Sequence, residues 1–144
     1  AKPVSKIIVA QPNALTQSKQ IFEAETAGRN GPSVAKNNGG YTGKGYIDFQ
    51  ASSGEHLNWL IQTKTAGKHT LIFRYALSGG NRPLQLKVND KVTNKALPFT
   101  DSGGWTSWKT LTTTTSLKAG VNDIRLESTG SNGPNLDNLT IDRN

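Results

Sequence analysis

Apolar and polar residues alternate with a period of two along much of this chain, a pattern that predicts β-strands with one buried face. In HLNWLIQT (56–63), the side chains of Leu57, Trp59 and Ile61 share one face. No segment of ten or more residues shows the apolar stripe of a helix. The other predicted strands are SKIIVA, QIFEAE, GYIDFQ, HTLIFRYA, LQLKVN, SWKTLTTTT, NDIRLES and LDNLTID.

Connections rich in Gly, Asn, Pro and Ser separate these strands at close intervals. The stretch AGK (66–68) is short enough for a hairpin between HLNWLIQT and HTLIFRYA, and NDK (89–91) has the composition of a tight turn. Many short strands with frequent turns predict an all-β fold, an antiparallel β-sandwich, with a barrel as the alternative.

Composition restricts the kinds of site that the protein contains. The 144 residues fit one domain with one core, and the absence of cysteine excludes disulfides, thiolate metal sites and a cysteine nucleophile. No apolar run reaches the roughly 18 residues of a membrane span, and the first residues, AKPVSKIIVAQPNALTQ, lack the apolar stretch of a signal peptide. We therefore expect a soluble protein with no membrane partner, whose export signal was upstream or has been removed.

The net charge of +7 comes from 17 Lys and Arg against 10 Asp and Glu and would suit an acidic partner. The lysines, however, are scattered and form no basic tract, and the aromatic residues follow no nucleic-acid motif. A solubilising surface explains the same charge. We therefore predict no binding of nucleic acid.

Four loops rich in glycine and asparagine combine aromatic and polar side chains, at 27–45, 78–83, 100–105 and 129–135. Binding surfaces of β-sandwiches commonly lie on such loops. A pyranose ring has faces rich in C–H groups and a rim of hydroxyls, so a sugar site needs a flat aromatic ring with polar groups around it. The candidate sugar-contacting residues in these loops are Tyr41, Tyr46, Asn81, Arg82, Trp105 and Asn135.

Trp105 is the best candidate for the aromatic ring, because Gly103 and Gly104 permit the close backbone turn that would present it. The alternative is that its ring anchors the loop to the core. Trp108 begins the next strand and is expected to pack against the protein, and Trp59 lies centrally in an alternating strand and is expected in the core.

Five segments, in order along the chain, resemble the carbohydrate-binding modules of family 35 and the related family 6. Each segment is weakly specific alone, but five in register are specific together. The resemblance covers residues 21–144 and implies a β-sandwich jelly roll; residues 1–20 fall outside it and are expected to form an N-terminal extension or an extra strand. The segments are FEAE (22–25), GYTGKGYIDF (40–49), LNWLIQTKTAGKHTLIFRYA (57–76), GGW (103–105) and GPNLDNLTI (133–141).

Modules of this kind are non-catalytic and are appended to secreted enzymes that degrade plant cell walls. The resemblance implies a monomeric, extracellular unit linked to a glycoside hydrolase such as a mannanase. The expected ligand is β-mannan or its oligosaccharides. The alternative is a uronic acid on glucuronoxylan or pectin, bound through a calcium-assisted site, but Asp101 is the only acid beside the Trp105 loop.

The resemblance also suggests roles for individual side chains. It places a tyrosine as a wall of the cleft, which is either Tyr41 or Tyr46, and a polar side chain that bonds sugar hydroxyls at Asn135. Arg82 matches a position that pairs with the sugar carboxylate in relatives recognising uronic acids, and its fork geometry suits that contact. Alternatively, Asn135 forms a simple turn, Tyr46 opens a strand and Arg82 is a solvated loop charge.

Glu23 and Glu25 lie two apart on an extended segment, so their carboxylates point to the same side and repel each other. Resembling modules hold a structural Ca²⁺ with this pair and an aspartate of the last strand, which corresponds to Asp137. Calcium requires such hard oxygen ligands. The alternative is that both glutamates are exposed edge charges that discourage aggregation.

Two other functional classes are less consistent with the sequence. Glycoside hydrolysis usually needs two carboxylates across a cleft, and local context marks no such pair; the sequence also has no GxSxG, HExxH or phosphate-loop motif. A protein-interaction sandwich would use an apolar patch or an exposed edge strand, whereas the aromatic residues here lie beside Gly and Asn loops. We therefore predict a binding module and not an enzyme.

Overall fold

The computed structural model describes residues 7–143, which form two β-sheets packed face to face. None of these residues forms a helix long and apolar enough to cross a membrane. The predicted antiparallel β-sandwich is confirmed. In chain order the strands are β1 (Ile7–Ile8), β2 (Pro12–Ala14), β3 (Lys19–Glu23), β4 (Gly28–Asn30), β5 (Ser33–Ala35), β6 (Tyr46–Asp48), β7 (Ser53–Thr63), β8 (Gly67–Leu77), β9 (Leu84–Val88), β10 (Lys91–Leu97), β11 (Gly104–Leu117), β12 (Gly120–Thr129) and β13 (Asn135–Arg143).

The strands divide between the sheets in a non-sequential order. Sheet 1 runs β1-β4-β7-β12-β9-β10, with β2 also pairing β7; sheet 2 runs β11-β8-β13-β6-β5, with β3 also pairing β13. All these pairings are antiparallel except that of β2 with β7. The loops around β5, β6, β9, β11 and β13 meet at one end of the sandwich, where they surround the candidate site.

The core lies between the sheets and consists of the residues that the alternating pattern selected. Leu57, Trp59 and Ile61 of β7 are buried, and so are their counterparts on β8. Trp59 is only 3% exposed, as predicted for a core residue, and its ring centroid lies 6.1 Å from that of Phe73. Phe73 in turn lies 6.1 Å from Phe99, so aromatic rings link the two sheets through the centre.

The connection AGK is not a hairpin, because β7 pairs with β12 and β8 pairs with β11 and β13. The chain crosses from one sheet to the other at this point. Strand alternation shows that two segments are half-buried but does not show which sheet each joins. The predicted turn NDK is confirmed: Val88 pairs with Lys91, and Asn89 and Asp90 have φ values of 53° and 67°, as a two-residue hairpin turn requires.

Several short strands lie where the sequence predicted loops or no element. The stretch 27–45 contains β4 and β5, and β2 and β10 were also not predicted. In the N-terminal segment, β1 pairs with β4, while Ser5 and Lys6 of the predicted strand SKIIVA lie outside the described residues. The expected division between residues 20 and 21 falls inside β3, and it stays a prediction.

Replacing Phe73 with alanine should lower the free energy of unfolding by about 3–5 kcal/mol, because the ring is fully buried between Trp59 and Phe99 and its loss leaves a cavity. Urea denaturation measures the change. Val121→Ala on the exposed side of β12 is the control and should alter stability by no more than about 0.5 kcal/mol. Equal effects of the two changes would contradict the assigned core.

Candidate functional site

Strand β11 leaves its hydrogen-bonded ladder at the position of the SGGW motif. Gly104 pairs with Leu77 and Lys109 pairs with Tyr75, so residues 105–108 of β11 lie opposite a single residue of β8. Gly103 and Gly104 have φ values of 103° and 139°, in the region that only glycine adopts readily. The two glycines therefore allow the bulge that carries Trp105 out of the sheet.

Asp101 and Ser102 fix the base of this bulge. The Oδ1 atom of Asp101 accepts hydrogen bonds from the backbone amides of Gly79 and Gly103, each at 2.9 Å. These two bonds lower the pKa of the Asp101 carboxyl. The hydroxyl of Ser102 accepts from the amide of Leu77 at 2.8 Å and donates to the carbonyl of Ser107 at 2.6 Å. The loops 78–83 and 100–105 are thereby held together.

A pocket of about 360 Å³ lies beside the bulge. It brings together four of the six side chains that the sequence proposed for sugar contact, and it leaves out Tyr41 and Asn81. Its lining residues are Asn37, Asn38, Tyr46, Asp48, Phe49, Arg82, Trp105, Asn132 and Asn135.

Trp105 is half-buried and contacts both the core and the pocket. The guanidinium carbon of Arg82 lies 5.4 Å from the centroid of its ring, a cation–π contact. The two alternatives considered for this residue, ligand contact and loop anchor, are therefore compatible: the part of the ring that packs against the protein fixes the part that lines the pocket.

Tyr46, and not Tyr41, lines the pocket. It is only 1% exposed, and its hydroxyl donates to Oδ1 of Asn37 at 2.6 Å and accepts from Nδ2 of Asn38 at 2.9 Å. Tyr41 packs beside it, with the ring centroids 5.8 Å apart, but lies outside the lining. Asn81 is exposed and also lies outside it. Tyr46 therefore acts mainly by holding the two asparagines in position.

Four polar residues of the pocket were not predicted from the sequence: Asn37, Asn38, Asp48 and Asn132. The three asparagines lie in the predicted glycine- and asparagine-rich loops, so their loops were identified but not their side chains. Asp48 had a weak signal, as an acid inside the apolar strand segment GYIDF.

Trp108 packs against the protein, as predicted. Its indole Nε1 donates to the carbonyl of Gly39 at 2.8 Å, and its ring lies 5.4 Å from Tyr46 and 5.4 Å from the guanidinium of Arg74. These contacts join β11 to the loop between β5 and β6. Trp108 thus supports the wall of the pocket without lining it.

The pocket contains one acidic and one basic side chain. Burial raises the pKa of the Asp48 carboxyl, and a side-chain hydrogen bond from Gln50 and, to a smaller extent, the positive charge of Arg82 partly oppose that rise. With both groups charged, the lining has no net charge. Its remaining polar side chains are neutral amides and the hydroxyl of Tyr46.

A second cluster of interest contains the three carboxylates proposed as calcium ligands. Thr42 lies between two of them: its hydroxyl bonds Glu23 at 2.8 Å, and its backbone amide donates to Asp137 at 3.0 Å. Asp137, which is fully buried, also forms an ion pair with Arg74, and Asn138 donates to the Thr42 hydroxyl at 2.9 Å. The acids at the two ends of the chain therefore meet around one loop residue.

Glu25 completes this cluster. Its Oε2 accepts from the backbone amide of Lys44 at 2.6 Å, whereas its Oε1 is buried with no hydrogen-bond partner among residues 7–143. Burial raises the pKa of Glu23, and the negative charges of Glu25 and Asp137 raise it further. Burial also raises the pKa of Asp137, against the effect of Arg74. Uptake of a proton or binding of a cation by these carboxylates would relieve the repulsion between their negative charges.

The described part of the chain, residues 7–143, has no group of three or more His, Cys, Asp or Glu side chains arranged to hold a metal ion. Thr42 and Arg74 occupy hydrogen-bonding positions of Glu23 and Asp137 that metal coordination would use. The donor set is nevertheless all oxygen, and one of its oxygens, Oε1 of Glu25, is buried and unsatisfied. The calcium site therefore stays a prediction.

Comparison with known proteins identifies the family. Residues 23–143 match the model of carbohydrate binding module (family 6). A solved family 35 module from Paenibacillus barcinonensis is 37% identical with a TM-score of 0.82, and the match covers 85% of this chain and 97% of that chain. The chain belongs to the carbohydrate-binding modules of families 6 and 35. A family 35 module from Clostridium thermocellum is similar to it, at 31% identity and a TM-score of 0.83, over 87% of this chain and 98% of that one.

The curated relatives of the module are much longer enzymes. It is 37% identical to an isomaltosyltransferase of Sporosarcina globispora, over 86% of the module but 11% of the enzyme. It is 34% identical to an exo-beta-D-glucosaminidase of Amycolatopsis orientalis, over 83% of the module and 12% of the enzyme. The module is therefore a non-catalytic unit of the kind attached to carbohydrate-active enzymes, as the sequence predicted.

Replacing Asp101 with alanine removes the acceptor of two loop amides. We expect hydrogen exchange at Gly79 and Gly103 to become about tenfold faster, while the melting temperature changes little because this carboxylate is on the surface. Nuclear magnetic resonance measures both rates. Asp90→Asn, which removes a distant turn carboxylate, is the control.

The pH dependence of the same amides gives an independent check. The pKa of Asp101 is lowered, so in the wild-type module the two bonds persist at neutral pH and are lost as the pH falls through a pKa below the ordinary value of 3.8. Exchange rates at Gly79 and Gly103 that match those of the Asp101→Ala variant at neutral pH would contradict a holding role.

Proposed function

We propose that this module binds a neutral plant cell-wall polysaccharide, β-mannan in the first place, in the pocket beside Trp105. The observation that carries the proposal is the combination in one pocket of an indole ring with the side chains of several asparagines. A pyranose needs these two kinds of contact, one for its C–H face and one for its hydroxyl rim.

Two of the asparagines, Asn132 and Asn135, are available for hydrogen bonding to sugar hydroxyls, whereas Asn37 and Asn38 are bonded to the Tyr46 hydroxyl. Asn135 is 6% exposed, and its side-chain amide forms no hydrogen bond with another of residues 7–143. Asn132 lies beside it in the same loop and also lines the pocket. An amide both donates and accepts hydrogen bonds, which matches a hydroxyl that does the same.

The charges of the pocket favour a neutral sugar. The charges of Arg82 and Asp48 offset each other, so a neutral sugar meets no net charge in the pocket. A uronate, in contrast, would bring a second negative charge beside Asp48. Of the two polysaccharide classes that the family resemblance suggests, β-mannan is the neutral one. The net charge of +7 does not change this preference, because it is spread over the whole chain.

A uronic acid on glucuronoxylan or pectin is the second candidate, and the position of Arg82 in the pocket favours it. A family 35 module that is 30% identical was solved in complex with a glucuronic acid containing disaccharide. Calcium assistance would use the Asp48 carboxylate, the one acid among the lining residues, together with side-chain oxygens of the asparagines beside it.

We further propose that the module serves a secreted glycoside hydrolase, such as a mannanase, by holding it on its polymeric substrate. A relative that is 32% identical, over 75% of this chain, is an endo-1,4-beta-xylanase B of Cellvibrio japonicus. Covalent linkage supplies a high local concentration of the catalytic domain, so weak binding of the sugar is sufficient.

Trp105→Ala should weaken mannohexaose binding by about 30-fold, equivalent to the roughly 2 kcal/mol lost when a central aromatic contact is removed. Isothermal titration calorimetry measures the affinity, and thermal melting checks that the variant is folded. Asn81→Ala is the matched control, because Asn81 lies on an adjoining loop but outside the pocket. Wild-type affinity in a folded Trp105→Ala variant would place the site elsewhere.

The choice of polysaccharide requires a separate titration panel. Mannohexaose, glucuronic acid and isomaltoheptaose should each be titrated with and without a chelator. We expect the highest affinity for mannohexaose, and we expect the chelator to leave that affinity unchanged. Binding of glucuronic acid alone, and only with calcium, would reverse the ranking. Preference for isomaltoheptaose would assign the module to the α-glucan enzymes among its relatives.

The acidic cluster is proposed as a structural calcium site formed by Glu23, Glu25 and Asp137. Three features support it: the carboxylates meet around Thr42, burial together with their like charges raises the pKa of Glu23, and one oxygen of Glu25 is buried without a hydrogen-bond partner among residues 7–143. Bound Ca²⁺ would offset the negative charge and satisfy that oxygen.

Adding Ca²⁺ to chelator-treated protein should stabilise it by about 2.7 kcal/mol at 100 times the Kd. The variant Glu25→Gln should respond far less, and without metal it should melt above metal-free wild type, because one repelling charge is gone. Differential scanning calorimetry measures both effects. Glu127→Gln, on the outer face of sheet 1, should keep the full calcium response. An unchanged wild-type transition on adding calcium would reject the site.

A further inference from the structure

We propose that Asp48 is a specificity-determining residue that disfavours uronic acids by offsetting the charge of Arg82 inside the sugar pocket. The proposal rests on the proposed function of that pocket and adds to it the residue that sets the preference between neutral and acidic sugars. Asp48 matched none of the sugar-contact positions suggested by the family resemblance, and it becomes a candidate only through its place in the structure.

The two charged side chains reach the pocket from different sheets. Asp48 ends β6 in sheet 2, and Arg82 precedes β9 in sheet 1. Both line the same pocket of about 360 Å³, with Trp105 as a third wall. Arg82 is held over the Trp105 ring at 5.4 Å, so its charge is fixed at the wall of the pocket.

Asp48 and Arg82 interact through space and not as a contact pair. Among residues 7–143, the ion pairs within 4.0 Å join Arg74 to Asp137, Lys87 to Glu127, and Arg125 to Asp123 and Glu127. The charged form of Asp48 is stabilised by a side-chain hydrogen bond from Gln50 and, less strongly, by the positive charge of Arg82. None of these ion pairs involves Arg82, so its guanidinium is not paired with a carboxylate of residues 7–143, and the charge of Asp48 partly offsets its own.

This arrangement acts differently on the two sugar classes. A uronate that paired with Arg82 would place its carboxylate in the same small pocket as that of Asp48, and the two negative charges would repel at short range. A neutral sugar could accept hydrogen bonds from the same guanidinium without this cost. Selectivity thus comes from a repulsive group as well as from the attractive ones.

The test compares wild type with Asp48→Asn, a variant of nearly the same size without the charge. Calorimetry with glucuronic acid and with mannohexaose, both with chelator, gives the ratio of the two affinities. That ratio should shift about tenfold towards glucuronic acid in the variant, and by less at 1 M salt. Circular dichroism and the melting temperature confirm that the variant is folded.

Two control variants separate the pocket from general charge effects. Asp90→Asn makes the same change of net charge in the β9–β10 turn and should leave the ratio as in wild type. In the double variant Asp48→Asn with Arg82→Gln, the affinity ratio should not shift towards glucuronic acid, because the attraction of a uronate depends on the guanidinium of Arg82. An unchanged ratio in folded Asp48→Asn, or an equal gain in Asp90→Asn, overturns the role of Asp48 while leaving neutral-sugar binding intact.

A different result identifies failure of the proposed function itself. If wild type binds neither sugar, the sugar pocket is rejected. The electrostatic coupling of Asp48 and Arg82 is then tested by following the carboxyl carbon signal of Asp48 against pH by nuclear magnetic resonance. The pKa of the Asp48 carboxyl should rise in the Arg82→Gln variant, because a favourable positive charge is removed. An unchanged pKa in that variant overturns the coupling as well.

Discussion

The pocket depends on one departure from regular sheet hydrogen bonding, the bulge of β11 at residues 105–108. In an unbroken strand, successive side chains point alternately into the core and onto the outer face of the sheet. Neither position would bring a tryptophan to the end of the sandwich. The bulge does so, and its base is fixed by the bonds of Asp101 and Ser102. The ring is thus held in place before a ligand arrives, which reduces the entropic cost of binding.

The loop between β5 and β6 connects the two candidate sites. One part of it supplies Asn37 and Asn38 to the pocket, and the other part supplies Thr42 and the Lys44 amide to the acidic cluster. The Trp108 indole holds the middle of the loop through the carbonyl of Gly39. A change in the charge of the cluster therefore acts on the same segment that positions two asparagines of the pocket. The two candidate sites thus share one short stretch of backbone.

The sequence predicted those features that local pattern determines. The sequence pattern identified the five strands of nine or more residues, β7, β8, β11, β12 and β13, and the core position of Trp59, and the glycine pair marked the loop of Trp105. It did not assign strands to sheets, because period-two alternation is the same in both; this is why AGK was wrongly predicted to be a hairpin. The short strands β4 and β5 were missed because Gly, Asn and Pro in their segment indicate loops, and tertiary pairing overrides that local preference.

Among the site residues, those with a distinctive local context were found and those defined by three-dimensional proximity were not. Trp105, Arg82 and Asn135 follow glycine- or asparagine-rich turns, whereas Asp48 lies in a strand and reaches the pocket only because β6 ends there. The net charge of the chain likewise does not give the charge of the pocket lining. A chain with a net charge of +7 would suggest an acidic ligand, yet the lining of its pocket carries one charge of each sign. The charge that a ligand meets is set by the few side chains within hydrogen-bonding reach, since more distant surface charges are screened by salt.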